Sequence, residues 1–317
     1  QFASSAASDV YKRQYKTINE KNIREGLEYL STMQAPYVLK ADGLAAGKGV
    51  LICESAEQAR SELENMIFDA KFGDASKNVV IEEFLDGIEL SVFILTDGYN
   101  YRLLPTSKDY KRAQEGDQGL NTGGMGAVSP VPFVDEEFMK KVEEKVIKRT
   151  LKGLHDMSVG YHGFLYIGLM KVGDEPYVIE YNVRMGDPET QAVIPRIKSD
   201  IVELFMRVAA DELKFYELEI DERAALTVVM ASDGYPGKYE SGMPIDGLTQ
   251  ANKDVLIFHS GTQKKRGKIL SNGGRVLSIT GFGHDLKEAL HIAYETVESI
   301  KFQNRYYRSD IGFDVII

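Results

Sequence analysis

The sequence of 317 residues has one cysteine, no tryptophan and only five histidines. A single cysteine, Cys53, excludes a disulfide within the chain, and the reducing cytoplasm is the natural location for such a protein. No two histidines have metal-ligand spacing, which disfavours a histidine-based metal centre. No apolar run approaches the ~18 residues of a membrane span, and no signal peptide is visible. We therefore expect a cytoplasmic protein with no membrane partner.

Basic charge is also scarce, because 38 Lys and Arg residues face 48 Asp and Glu residues, giving a net charge of −10. This excess of acid disfavours binding of nucleic acid through a general basic surface. An acidic small-molecule substrate would need a local cluster of Lys and Arg instead. The length predicts about two domains, each able to bury its own core. The sequence makes no prediction of the oligomeric state.

The order of the predicted elements indicates two units after a short leader. Residues 1–14 are small and polar without a sustained period, and the chain does not begin with methionine, so we interpret them as a non-native leader. Residues 15–222 contain pairs of apolar strands with helices between them, which predicts α+β layers. The composition turns acidic near 216–223, and residues 223–317 form a smaller second α+β unit. The polar exceptions in its apolar strands are His259, Arg275 and the Gly273-Gly274 turn.

The stretch 177–189 (YVIEYNVRMGDPE) carries the densest polar pattern. In a strand with strict alternation, one face would carry Val178, Glu180, Asn182 and Arg184, and the other Ile179, Tyr181 and Val183. Glu and Asn offer the hard oxygen ligands that Mg²⁺ prefers, and Arg offers a forked donor for phosphate or carboxylate. A solvated edge strand explains the same pattern about equally well.

A glycine-rich hairpin tip is predicted between two short strands, 37–40 and 50–53. Its backbone can approach a ligand closely, and two lysines bracket it at Lys40 and Lys48. It is not a Walker A motif, because Gly49 occupies the Ser/Thr position and no helix follows at once. The pattern favours phosphate binding over a merely flexible tip.

Two further stretches carry candidate polar groups. Glu82, Glu83 and Glu89 lie where two apolar strands break at Asp86-Gly87, and acids at such a junction are usually solvated unless a ribose or adenine lies beside them. Residues 105–130 are predicted as a long loop, which is unusual inside a compact domain unless it is functional or disordered. The local basic cluster of this loop consists of Lys108, Lys111 and Arg112.

Three motifs together carry a resemblance to a known family. The stretches 41–50 (ADGLAAGKGV), 117–126 (DQGLNTGGMG) and 184–189 (RMGDPE) resemble the phosphoribosylamine–glycine ligases, the glycinamide ribonucleotide synthetases of purine biosynthesis, within the ATP-grasp superfamily. The resemblance runs from about Tyr15 to Ile317 and includes 228–237 (VVMASDGYPG) in the second unit. It implies an ATP-grasp fold with a lid over about residues 15–90.

The resemblance also implies roles for individual residues. The residues assigned to ATP are Lys40, Gly47, Lys48, Gly49, Glu82, Glu83, Leu85 and Glu89, with the adenine near 82–85 and the ribose near Glu89. Those assigned to a bridging Mg²⁺ or Mn²⁺ are Glu180 and Asn182. Those assigned to the reacting centre are Arg184 and Asp187, and Lys108 joins them as the first residue of the basic cluster.

The implied reaction is ATP-driven formation of glycyl phosphate, followed by attack of the amine of 5-phosphoribosylamine. The family also has a glycine-rich N-terminal domain, which is absent from these residues, so we expect ATP binding near normal and ligation impaired. Two alternatives stay open: another ATP-grasp carboxylate–amine ligase, and a nucleotide-binding fragment without turnover. The motif at 184–189 and the second unit argue against the first of these.

Overall fold

The computed structural model describes residues 15–43, 49–249 and 253–316. Within these ranges, the strands are β1 (Tyr15–Ile18), β2 (Tyr37–Ala41), β3 (Val50–Cys53), β4 (Val79–Glu83), β5 (Ile88–Thr96), β6 (Tyr101–Leu103), β7 (Lys108–Asp109), β8 (Arg112–Gln114), β9 (Gln118–Asn121), β10 (Gly126–Ser129), β11 (Gly163–Val172), β12 (Glu175–Asn182), β13 (Ala224–Ser232), β14 (Val255–His259), β15 (Thr262–Lys265), β16 (Lys268–Ser271), β17 (Arg275–Gly283) and β18 (Arg305–Tyr306).

The α-helices of the described ranges are α1 (Ile23–Thr32), α2 (Ala56–Phe68), α3 (Glu136–Val142), α4 (Lys148–Asp156), α5 (Glu189–Val193), α6 (Ile201–Ala209) and α7 (Leu286–Ser299). A π-helical stretch, Glu143–Ile147, joins α3 to α4. Asp135 and Asp285 are the N-caps of α3 and α7, since each carboxylate accepts a hydrogen bond from the backbone N–H three residues on. A search of the described part of the chain finds no candidate for a membrane-spanning helix.

The first layer is a four-stranded antiparallel sheet in the order β1-β4-β2-β3. Helices α1 and α2 contact it, and the apolar side chains between them form a separate core that includes Leu39, Leu63 and Ile81. Cys53 is buried in the same core as a free thiol. This layer lies within the region predicted to be a lid.

The second layer is the antiparallel sheet β12-β11-β5-β6. The strand β12, which carries most of the polar stretch 177–189, pairs with β11. One face packs against the helices of 136–156 through residues such as Val92, Ile167 and Leu169. Leu90, Val92 and Ile94 of β5 pack on that side. They alternate with Glu89, Ser91 and Phe93, which point to the opposite face. That opposite face carries the candidate site.

The third layer crosses the boundary predicted at 222/223. Its strand order is β14-β17-β13-β10-β7, and β18 also pairs with β13. Residues 126–129 pair with 225–228, so the first unit contributes strands to the sheet of the second. The prediction of a loop over 105–130 is therefore wrong, because β7 to β10 form there. Strands of two to four residues leave little local pattern, and their partners lie far away in the sequence. Layers of antiparallel sheet and helix confirm the predicted α+β class.

Candidate active site

The lysine predicted to bind phosphate lies on β2 of the first sheet. Lys40 forms an ion pair with Glu82 of β4, with 2.8 Å between Nζ and the carboxylate, and both side chains are largely shielded from solvent. The structure thus brings two of the predicted ATP residues together. Gly49 is buried and its carbonyl accepts a hydrogen bond from Ala41 at 2.8 Å, which closes the base of the hairpin. Gly47 and Lys48 lie outside the described residues.

The segment predicted to meet the adenine connects the first sheet to the second. Glu83 ends β4 on the exposed side and Leu85 is buried. Glu89 then lies on the candidate face of β5, where the Lys111 ammonium contacts its carboxylate directly. Lys111 is also 3.8 Å from the Asp109 carboxylate. Burial disfavours the ammonium, but Asp109 and Glu89 outweigh burial and hold the pKa of Lys111 well above its ordinary value.

We call Glu89, Asp109 and Glu189 the acidic cluster, and Lys111 is the cation beside it. Glu189 is 3% exposed, and Ser91 donates to it at 3.3 Å while lying 3.1 Å from the Tyr166 hydroxyl. Burial raises the pKa of Glu189, although its own backbone N–H and Lys111 oppose the shift. Burial also raises the pKa of Asp109, again against Lys111. Perturbed carboxyl groups of this kind, packed around one ammonium, are typical of functional sites.

The predicted alternation of β12 is wrong before residue 180. A β-bulge lies at Ile179, because Gly168 of β11 faces Glu180 while Leu169 faces Val178. Val178 therefore contacts the core beneath the sheet, on the same side as Tyr181, instead of sharing a face with Glu180. Sequence periodicity could not show the bulge, since one extra residue in a strand leaves no compositional mark.

Glu180 and Asn182 remain on one face, as predicted, and the Asn182 amide N–H approaches the Glu180 carboxylate at 3.4 Å. Glu180 is exposed, and among the described residues no Lys, Arg or His lies within 4.0 Å of its carboxylate. In the described ranges, no three Asp, Glu, His or Cys side chains form a metal site. One carboxylate plus one amide fits Mg²⁺, which keeps several waters and takes substrate phosphates as its other ligands.

Arg184 and Asp187 follow β12 in the turn that leads to α5. Arg184 is exposed and donates to the Met185 carbonyl at 2.8 Å, so its guanidinium keeps most of its donors. Asp187 is held from the second unit by Arg275, with 2.8 Å between Nη2 and the carboxylate. Arg275 also donates to the backbone carbonyls of Gly123, at 2.7 Å, and Asp187, at 3.2 Å. One arginine thus ties three glycine-rich turns together.

The tight approach of these turns explains two of the glycines. Gly124 has φ +111°, and a Cβ there would lie 2.3 Å from Pro188. A Cβ at Gly186 would lie 2.5 Å from the Glu189 carboxylate. Tyr235 completes the junction, because its hydroxyl accepts a hydrogen bond from the Gly123 N–H at 3.0 Å.

Sequence reasoning recognised Arg275 only as a polar exception and did not connect it to Asp187. The Gly273-Gly274 pair before Arg275 was the available signal, since a Cβ at Gly274 would lie 2.2 Å from the Tyr235 ring. It included Glu189 in a motif without giving it a role, and it missed Ser91 and Tyr166.

The contacts of the Lys108 ammonium are with residues outside the acidic cluster. Its ammonium pairs with Asp314 at 2.9 Å and lies 4.1 Å from the centre of the Tyr110 ring, and its side chain is largely buried. Tyr110 donates to the same carboxylate at 2.7 Å. The structure therefore brings Lys108 to the end of the chain, on the third sheet, and not to Glu180 or Arg184.

The fold and this face define the class of the protein, an ATP-grasp enzyme. A crystal structure of a biotin carboxylase domain from Hydrogenobacter thermophilus superposes with a TM-score of 0.71 over 96% of this chain and 65% of that chain, at 16% identity, which shows a shared fold alone. The family model described as phosphoribosylglycinamide synthetase, ATP-grasp (A) domain, matches residues 4–190. The model described as the C domain of the same synthetase matches residues 225–314.

The chain belongs to the phosphoribosylglycinamide synthetase family. A phosphoribosylamine–glycine ligase of Leptospira interrogans is 43% identical over 95% of this chain and 70% of its own length. That of Chlorobaculum tepidum is 48% identical over 87% of this chain and 66% of its own length. The crystal structure of the Thermotoga maritima ligase has a TM-score of 0.87 at 37% identity and covers 97% of this chain and 76% of that chain. The resemblance drawn from the three motifs is confirmed.

Proposed function

We propose that this chain ligates glycine to 5-phosphoribosylamine at the expense of ATP, in the synthesis of purines. The observation that carries the proposal is the single sheet face that holds Glu89, Ser91 and Glu180. Ser91 pairs across β5 and β11 with Gly168, which in turn faces Glu180. Since adjacent strands lie about 4.8 Å apart, Ser91 and Glu180 lie about 10 Å apart on that face.

The reaction fits the groups on this face. The γ-phosphoryl group of ATP passes to a glycine carboxylate oxygen, and ADP leaves. The acceptor amine then attacks the acyl carbon, a C–N bond forms, phosphate leaves with the oxygen it received, and the amine loses a proton. Lys40 is proposed to hold ATP phosphates, with Lys48, Gly47 and Gly49 in the hairpin over them. Glu82, Glu83 and Leu85 are proposed to contact the adenine.

Glu180 and Asn182 are proposed to hold Mg²⁺ or Mn²⁺, which would supply positive charge to the phosphates when bound. Arg184 is proposed to stabilise the charge that builds on the transferred phosphoryl group, because its exposed guanidinium follows β12 directly. Asp187, oriented by Arg275, is proposed to position the substrates at the reacting centre. The buried pair of Lys108 with Asp314 favours a structural role for this lysine. The buried free thiol of Cys53 supports the cytoplasm as the location.

The experiment that tests the function is ADP release measured with each substrate omitted in turn. We expect full release only when ATP, Mg²⁺, glycine and 5-phosphoribosylamine are all present. Glycinamide ribonucleotide should appear by mass spectrometry in proportion to ADP. ADP release that is the same without glycine would refute the proposal and favour another ligase, and nucleotide binding without any turnover would favour a binding fragment.

A further inference from the structure

The hairpin of β8 and β9 connects two anchor points of the candidate site. It follows Lys111, which contacts the acidic cluster, and it precedes Gly123, which accepts a hydrogen bond from Arg275. Between these anchors, residues 114–120 are all exposed, and Leu120 keeps 67% of its surface. The hairpin is thus fixed at both ends to the site while its tip is open to solvent.

The hairpin is held by a buried arginine near the end of the chain. Arg308 is 0% exposed, and its guanidinium donates to the Asp117 carboxylate at 2.6 Å and to the Arg112 carbonyl at 3.2 Å. Asp310 accepts from Arg308 at 2.7 and 2.9 Å and from the Gly116 N–H at 2.7 Å. The Arg308–Asp310 pair of the second unit therefore contacts the turn of the hairpin, at Gly116 and Asp117, and its first strand, at Arg112.

Two residues close to Arg308 in the sequence also contact the hairpin. The Tyr306 hydroxyl donates to the Ala113 carbonyl at 2.7 Å, and Ser309 contacts the Glu115 carboxylate. An isolated two-stranded hairpin is marginally stable in water, so the conformation of this one depends on these contacts. The contacts from the segment 306–310 therefore act together with the two anchors to set the position of the hairpin relative to the site.

We propose that Arg308 is a positioning residue that sets the hairpin as one wall of the acceptor subsite. The proposal rests on the proposed function. ATP is assigned to the first sheet and to the face of β5 and β12, whereas the hairpin ends at the Gly123–Asp187 junction of the reacting centre. Beside the exposed tip, the Arg112 guanidinium donates to the Gly119 carbonyl at 2.9 Å and keeps further N–H donors, which suit a ribose phosphate. Arg308 acts on the acceptor through Asp117 and does not touch it.

The test compares Asp117→Asn with Arg308→Lys in the full chain. Asp117 is 43% exposed and has φ +53°, which asparagine also tolerates, so Asp117→Asn loosens the hairpin while the Arg308–Asp310 pair stays intact. We expect the KM for 5-phosphoribosylamine to rise about tenfold in each variant, because a displaced wall costs the acceptor its orientation. The KM values for ATP and glycine should stay within about twofold. The double variant should add little to the change seen in Arg308→Lys, since that substitution already disturbs the contact with Asp117.

The matched control is Glu240→Gln, which removes a carboxylate that accepts a hydrogen bond from Asn304 at 3.1 Å in the same terminal region and leaves the hairpin contacts unchanged. It should keep all three KM values. An unchanged acceptor KM in both Asp117→Asn and Arg308→Lys would overturn the proposal, as would an equal rise in all three KM values.

A second measurement separates this proposal from the function. Ribose 5-phosphate should slow hydrogen exchange over residues 112–121 in the wild type and not in Asp117→Asn. If that protection appears but no ligation is measured, the proposed function fails and the positioning role stands. If ligation is measured and ribose 5-phosphate gives no protection, the positioning role fails alone.

Discussion

Arg275→Met is the substitution that we expect to separate the glycine-rich turns of the site. In the structure, Arg275 donates to the Asp187 carboxylate at 2.8 Å and to the Gly123 carbonyl at 2.7 Å. A hydrogen bond from a charged donor contributes about 1.5–3 kcal/mol. Because Asp187 is 54% exposed, its ion pair contributes only up to about 1 kcal/mol. Together the two contacts contribute about 1.5–4 kcal/mol to the positioning of these turns.

A loss of about 1.5–4 kcal/mol corresponds to a fall of about 10- to 900-fold in kcat/KM, at about 1.36 kcal/mol for each tenfold. The assay is initial-rate ADP release with glycine varied at saturating ATP, together with a thermal melt of each protein. Arg223→Met is the matched control, because Arg223 of the second unit also pairs with two carboxylates, at 2.8 Å to Asp221 and 2.9 Å to Asp254. The control should stay within about twofold of wild type. A folded Arg275→Met protein with wild-type kcat/KM would refute the reasoning.

Three other predictions concern the metal, the hairpin over ATP and acid stability. Glu180→Gln should shift the Mg²⁺ titration of ADP formation to much higher concentration, and an unchanged titration in a folded variant would count against the metal site. Mg-ATP should protect residues 36–52 from hydrogen exchange, and equal exchange with and without it would contradict a lid. Burial opposes ionisation of Asp97, but N–H donors from Asn100 and its neighbours outweigh burial and lower its pKa. Its stabilisation should therefore be present above pH about 4 and fade as pH falls below that, so the Tm gap between wild type and Asp97→Asn should narrow there; a constant gap would refute this.

Local signals were enough to predict much of the fold. The N-caps at Asp135 and Asp285 and the apolar strands of β11 and β17 have strong patterns within a few residues. The spacing of two residues was enough to place Glu180 and Asn182 on one face. The bulge at Ile179 did not affect them, because it lies one residue before Glu180. The sequence alone therefore placed the polar pair on one face and misplaced Val178.

The parts that could not be predicted depend on contacts across long separations. Residues 126–129 form strand β10 by pairing with residues 225–228 of β13, about a hundred residues away. Lys108 looked like a free cation in a basic cluster, but its partner Asp314 lies near the far end of the chain. Arg275 and Asp187 are 88 residues apart. No local pattern records such pairs.

The most direct test of the central claim follows one oxygen atom. Glycine labelled with ¹⁸O in its carboxylate is incubated with ATP, Mg²⁺, 5-phosphoribosylamine and the chain, and the released phosphate is examined by mass spectrometry. Because acyl phosphate formation leaves a glycine oxygen on the phosphoryl group, the account predicts one ¹⁸O in each phosphate for each glycinamide ribonucleotide formed. Released phosphate without ¹⁸O would contradict it.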